Sequence, residues 1–148
     1  MPEFGVATKA IIFNAKLKKY LVLKKSDIED INTDTFDMPG GRIKFGEKLE
    51  EAVRRESKEE TGLNVKVEQV FNAWTFIKAD RGLQLVGIDF LCFAKQEEIK
   101  LSEEHKSFEW KSAEEIVDNG KYPDWLRETI KKADKIRKIY LCILKNLY

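Results

Sequence analysis

Glu56, Glu59 and Glu60 stand one helical turn apart within GRIKFGEKLEEAVRRESKEETGL, the run from Gly41 to Leu63. On helical spacing Leu49, Ala52 and Val53 begin an inward face, and the three glutamates continue it within an arc of about 100°. Like charges one turn apart repel, and a partly buried carboxylate loses hydration, so the cluster costs stability unless a cation neutralises it. Oxygen-only ligands favour Mg²⁺, Mn²⁺ or Ca²⁺ over zinc, and the chain has one His and two well-separated Cys from which to build a softer site. Mg²⁺ is the leading choice, with Mn²⁺ as the alternative. Because Mg²⁺ is commonly shared between a few carboxylates and substrate phosphates, an open carboxylate site points toward phosphate chemistry.

The elements that position these carboxylates are marked at both ends. Pro39, Gly40, Gly41 and Gly46 make a flexible lead-in where backbone can approach a ligand closely. Glu47 opens the helix, and Gly62 closes it as a left-handed cap. A solvated surface helix can carry an acidic pair, but nothing requires it to carry these brackets as well.

The segment resembles the signature box of the Nudix hydrolases: Gly, five residues, Glu, seven residues, Arg-Glu, an aliphatic, any residue, Glu-Glu, any residue, Gly, an aliphatic. Gly41, Glu47, Arg55, Glu56, Glu59, Glu60, Gly62 and Leu63 fit at the required spacing, and Ser57 departs from it by standing where an aliphatic residue is expected. That change should weaken packing of the helix more than its chemistry. The resemblance implies hydrolysis of a diphosphate linkage in a nucleoside diphosphate derivative, with water attacking phosphorus and metal ions balancing charge. It implies Glu59 and Glu60 as principal metal ligands, Glu56 as a further ligand or the base, and the Gly40 carbonyl facing the metal. It also implies that Arg55 orients the glutamates, with Glu47 as its ionic partner. Phosphoryl transfer needs positioning and neutralisation of negative charge more than covalent chemistry, which agrees with this inventory.

The family often adds a carboxylate from a later loop, in a Glu-His stretch shortly before a Trp. SEEHKSFEW has that form, so Glu104, six residues before Trp110, is the candidate extra ligand or base, with Glu103 and Glu109 as substitutes. His105 is assigned no role, since no partner that would orient it is evident. Candidate substrate contacts are Arg42 for a leaving phosphate, Lys24 or Lys25 for a phosphate, Phe36 and Trp74 for stacking a base, and Asp124 for reading a base edge. Each of these has an ordinary structural reading beside the functional one.

A length of 148 residues and 43% hydrophobic content fit one domain spanning 1–148. The N-terminus lacks the pattern of a signal peptide and no run approaches a membrane span, so a soluble cytoplasmic protein is expected. A net charge of +1 argues against a nucleic-acid polymer as partner and leaves a small nucleotide. Cys92 and Cys142 both read as core residues.

β-type runs are expected at Val6–Phe13, Tyr20–Lys24, Val65–Phe71, Ala73–Ile77, Leu83–Phe93 and Phe108–Trp110, with a polar loop over Ser26–Thr35 and a hairpin turn at Arg81-Gly82. Ser112 and Glu115 form a capping box for a short helix ending near Asn119-Gly120. Pro123 starts a long helix whose Leu126, Ile130, Ala133, Tyr140 and Leu144 share a face. The order resembles the Nudix fold, an α+β sandwich with a mixed, curved sheet between helices. The apolar tail IYLCILKNLY either joins two copies or lies deep across its own core, so the chain is read as a monomer or homodimer.

Subgroup markers are missing. The proline of ADP-ribose pyrophosphatases and the tyrosine of dinucleoside polyphosphate hydrolases have no counterpart beyond the box, where the chain reads KADRG. An NADH-type SQPWPF stretch and a coenzyme A motif are absent too. By subtraction the chain resembles a nucleoside triphosphate pyrophosphohydrolase acting on modified or oxidised nucleotides. Nucleotide-sugar, ADP-ribose or dinucleoside polyphosphate hydrolysis is the alternative within the class, and a silent nucleotide-sensing module the alternative outside it.

Overall fold

The central strand β1 (Glu3–Asn14) is apolar on both sides because both are covered: Ala10 and Ile12 enter one hydrophobic cluster, Ile11 and Phe13 the other. The computed structural model describes residues 1–26 and 35–147, so most of the expected Ser26–Thr35 loop lies outside the described residues. Among these, β2 (Lys19–Lys25), β3 (Phe36–Asp37), β4 (Gly40–Arg42), β5 (Lys66–Lys78), β6 (Leu83–Ala94) and β7 (His105–Lys111) complete one seven-stranded sheet. The order is β3-β2-β1-β6-β5, with β4 against β1 and β7 against β2. The sheet is mixed: β6 runs parallel to β1 from Glu3↔Leu83 to Asn14↔Ala94, and the other pairings are antiparallel.

Helix α1 (Leu49–Thr61) covers one face, where Val53 packs with Ala10, Ile12, Leu21, Leu23 and Phe90. The short α2 (Ala113–Val117) and long α3 (Asp124–Leu147) cover the other through Ile116, Leu126, Ile130 and Ala133. Full burial of the Ile and Leu side chains among these contributes about 1.5–3 kcal/mol each. A buried hydrogen bond from the Tyr20 hydroxyl to Asp134 (2.9 Å) ties α3 to β2, and Arg137 holds the same carboxylate. The expected α+β sandwich, a mixed sheet between helices, is the fold observed.

Several boundaries differ from expectation, each for a local reason. The two strands expected over Val65–Phe71 and Ala73–Ile77 are one, β5, because bulges at Val67/Gln69 and Val70/Asn72 absorb the break in alternation. Gly40 and Gly41 are not a loose lead-in but a strand, pairing with Lys9 and Thr8. Helix α1 begins at Leu49, so Glu47 sits in the preceding turn, while Gly62 is the left-handed cap (φ 76°) as expected. Helix α2 stops at Val117, short of Asn119-Gly120, and Cys142 is exposed rather than in the core. The tail of α3 does not lie deep: Ile139, Leu141 and Ile143 face solvent.

Candidate active site

Strand β4 sets two glycines against the second half of α1, and the packing there is tight. A Cβ on Gly40 would lie 2.0 Å from the Thr8 carbonyl oxygen, and one on Gly41 would lie 2.6 Å from Glu56 Oε1. Gly40 is pressed by the backbone of β1 and Gly41 by the Glu56 carboxylate. The Gly40 N–H donates to Glu60 Oε2 at 2.8 Å.

Arg55 is the hub of the outer carboxylates. Its Nε and Nη2 grip Glu47 at 2.6 and 3.1 Å, Nη1 donates to Glu56 (2.9 Å) and Glu59 (3.3 Å), and Nη2 reaches the Arg42 carbonyl (3.3 Å). The guanidinium bound to Glu47 lowers its carboxyl to about 2, helped by the Lys44 N–H. The inward stripe of α1 is Ala52, Val53, Ser57, Glu60 and Thr61. The expectation that all three glutamates share it holds fully for Glu60, which is 4% exposed. The Glu56 side chain is mostly covered, and that of Glu59, at 55% exposed, flanks the site. Ser57 is fully buried and its hydroxyl has no partner among the described residues, so the departure from the box places an unsatisfied polar group in the interior.

Glu60 meets another carboxylate. Burial pushes its pKa up to about 8 against the lowering effect of the Gly40 N–H, and its hydrogen bond with Glu104 pushes the same way. Ligand atoms of Glu60, Glu104 and His105 all lie within 4.8 Å of one another. Of the three later carboxylates, Glu104 is the one the fold brings to α1. Glu109 accepts from the Tyr122 hydroxyl at 2.6 Å, and Glu103 is exposed.

Three residues that sequence reasoning passed over support this end. Lys9 Nζ donates to Asp37 Oδ1 (2.9 Å) and to the Met38 carbonyl (3.2 Å), while His105 Nε2 lies 3.0 Å from Asp37 Oδ2. Burial would raise the Asp37 carboxyl, but His105 and Lys9 hold it well below the usual carboxylate range. On the far strands, Asp89 is 3% exposed and accepts from Asn72 Nδ2 (2.8 Å) and Trp74 Nε1 (2.9 Å), and its pKa is raised by burial. The signal for it was a lone acid inside LVGIDFLCFA.

The expected substrate contacts fare differently. Trp74 is half-buried and lies face-on over Gly87, where a Cβ would be 2.0–2.3 Å from three atoms of the indole. Phe36 is in the core, packed on Tyr122 (centroids 4.9 Å) with Lys24 Nζ 5.2 Å from its ring, so no free face is left for a base. Arg42 pairs with Glu3 and lies beside Gly5. Lys25 is exposed at the end of β2, opposite His105. Asp124 is open to solvent in the first turn of α3, 3.5 Å from Arg127.

A two-glycine strand feeding a carboxylate helix on a mixed sheet is the arrangement of a Nudix hydrolase, and the family model for the NUDIX domain matches residues 3–133. The chain belongs to this family and is a Nudix hydrolase enzyme. It is 28% identical over 108 residues to proteins named nucleoside triphosphatase NudI from Escherichia coli and Shigella flexneri, covering 66% of this chain and 76% of the relative. A MutT protein from Methanosarcina mazei superposes with a TM-score of 0.75 at 28% identity, over 93% of this chain and 97% of that one. A Caenorhabditis elegans Ap4A hydrolase shares the fold at 18% identity, with a TM-score of 0.74 over 90% and 98% of the two chains. No helix of the described residues is long and apolar enough to cross a membrane.

Proposed function

We propose that the chain hydrolyses nucleoside triphosphates to a monophosphate and pyrophosphate, with Mg²⁺ or Mn²⁺ as the working cation. The observation that carries this reading is the Glu60–Glu104 pair, two carboxylates brought together with one of them buried. Such a pair is held apart from full ionisation until a hard cation arrives, and its oxygens are the donors Mg²⁺ prefers. Glu60 and Glu104 would hold the ion, with the Gly40 carbonyl and Glu59 as further donors. When bound, the ion neutralises charge on the phosphates and lowers the pKa of water.

The protein's own groups have separate tasks in this reading. Arg55 holds Glu56 and Glu59 through Nη1 while Glu47 grips its other edge. Glu56, packed against Gly41, is the candidate to take the proton from the attacking water. Arg42 and Lys25 are candidates for the phosphates. Trp74 is the candidate base platform: its inner face is committed to Gly87 and its N–H to Asp89, so it offers stacking without reading a base edge. Arg42, Ala7, Gly87 and Trp74 are paired in one row across the sheet. That row sets the Trp74 backbone three strand spacings, about 14 Å, from the strand of the glycine pair, and its indole, lying over Gly87, about two.

The name of the relatives, nucleoside triphosphatase, supports this choice of substrate. The test is a product-resolved panel with Mg²⁺: canonical and oxidised nucleoside triphosphates, ADP-ribose, nucleotide sugars and dinucleoside polyphosphates. Pyrophosphate from a nucleoside triphosphate, abolished by Glu60→Gln, is the expected result. Inorganic phosphate alone, or nucleotide binding with no turnover anywhere on the panel, would overturn it.

A further inference from the structure

His105 is the only histidine in the chain and its side chain is 2% exposed. One ring nitrogen, Nε2, is engaged by the Asp37 carboxylate at 3.0 Å; the other, Nδ1, is buried with no partner. A buried polar atom left unpaired costs about 1–3 kcal/mol, so an orphan ring nitrogen in a fixed orientation calls for an occupant. The groups gathered with His105 are Glu60 and Glu104: a ring nitrogen and one carboxylate oxygen of each lie within 4.8 Å of one another.

We propose that His105 Nδ1 is a nitrogen ligand of the active-site cation, making the site a mixed nitrogen–oxygen one that favours Mn²⁺ and Co²⁺ over Mg²⁺. This rests on the metal-dependent reading above and specifies it. The supporting geometry is that of a carboxylate–histidine–metal arrangement. Asp37 accepts the Nε2 proton, which leaves the lone pair on Nδ1 and fixes the ring plane. Lys9 donates to Asp37 and to the Met38 carbonyl, so the orienting carboxylate is tied to the strand that leads into the glycine pair. Three strands, β1, β3 and β7, thus converge to hold one imidazole. Oxygen donors alone suit Mg²⁺, whereas an imidazole raises affinity for first-row transition ions, in the order Mn²⁺ below Fe²⁺ below Co²⁺.

The sole histidine makes the test specific. On untagged protein carrying Mn²⁺, electron spin-echo modulation should show a directly coupled nitrogen, and its frequencies should change when histidine alone is labelled with ¹⁵N. This measurement needs no variant, so it survives if His105→Gln folds poorly. Where that variant folds, the coupling should vanish and the Kd for Mn²⁺ should rise about 10-fold or more, while that for Mg²⁺ moves much less. Mn²⁺ bound without nitrogen coupling, or equal weakening of both ions in His105→Gln, overturns the histidine's part and leaves the carboxylate site standing. A protein that binds neither ion overturns the metal-dependent reading as a whole.

Discussion

At one end of the carboxylate cluster Arg55 ties Glu47, Glu56 and Glu59 together, and its guanidinium lowers Glu47 to about 2. At the other end Glu60 meets a peptide N–H and a second carboxylate, and burial pushes it up to about 8. Both ends start from the same residue type on the same helix. At the first end one guanidinium is hydrogen-bonded to all three carboxylates and fixes them; at the second, Glu60 accepts from the Gly40 N–H and meets Lys9 only through space. The proposed cation is therefore expected at the second end, with Glu56 at the junction of the two and Arg55 and Glu47 as the rigid frame.

Breaking the second end should have the largest effect. Glu60→Gln is expected to lower turnover by on the order of 10²- to 10³-fold, the size of a lost preorganised electrostatic group. Glu59→Gln, on an exposed side chain with one 3.3 Å tie to Arg55, should cost clearly less. Steady-state rates on a single nucleoside triphosphate rank the two, and an equal loss would erase the distinction between the ends. Arg55→Ala comes next, with an expected loss of about 10- to 100-fold, as for other supports of metal ligands. Arg55→Lys should recover little, because the two-point grip on Glu47 needs the planar fork. Carbon-detected titration of Glu47 should then return from about 2 toward an ordinary carboxylate value.

The pH dependence of stability sharpens the contrast. Glu60 holds its proton more tightly folded than unfolded, so its contribution is fully present below an ordinary carboxyl pKa and is lost as pH rises through about 8. The metal-free protein should lose a few degrees of Tm between pH 5 and 8. Glu60→Gln should flatten that slope, and added Mg²⁺ should reverse it. Glu47 has the opposite sign, its contribution being lost only as pH falls toward 2. The smallest effect is expected at Ser57: removing its unpartnered hydroxyl in Ser57→Ala should stabilise the fold by about 1 kcal/mol. Chemical denaturation with unchanged turnover checks it.

Much of this architecture was legible in the residues. The apolar runs of β1, β2 and β6, the Gly62 cap, the Ser112/Glu115 box and Pro123 each act locally, and local rules locate them. Strand β4 escaped because GG carries no side-chain pattern; its pairing with Lys9 and Thr8 exists only in the assembled sheet. The Lys9–Asp37–His105 support escaped for the same reason, since its members come from three strands distant in sequence. Phe36 was placed near the cleft by its neighbours in sequence, but Tyr122 and Met38 draw it into the core. Helical spacing likewise put Glu59 with Glu56 and Glu60, although α1 turns it outward.

The parallel pairing of β1 with β6 bears on the order of assembly. Twelve residues at the start of the chain pair with partners that begin at Leu83, so closing the middle of the sheet requires a loop of roughly eighty residues. During synthesis β1, β4 and the signature helix leave the ribosome well before β6 and β7 exist. Glu60 can then already meet Gly40, but Glu104 and His105 are still to come. The proposed cation site would thus be a late product of folding, and metal should bind poorly to any chain stopped before residue 105.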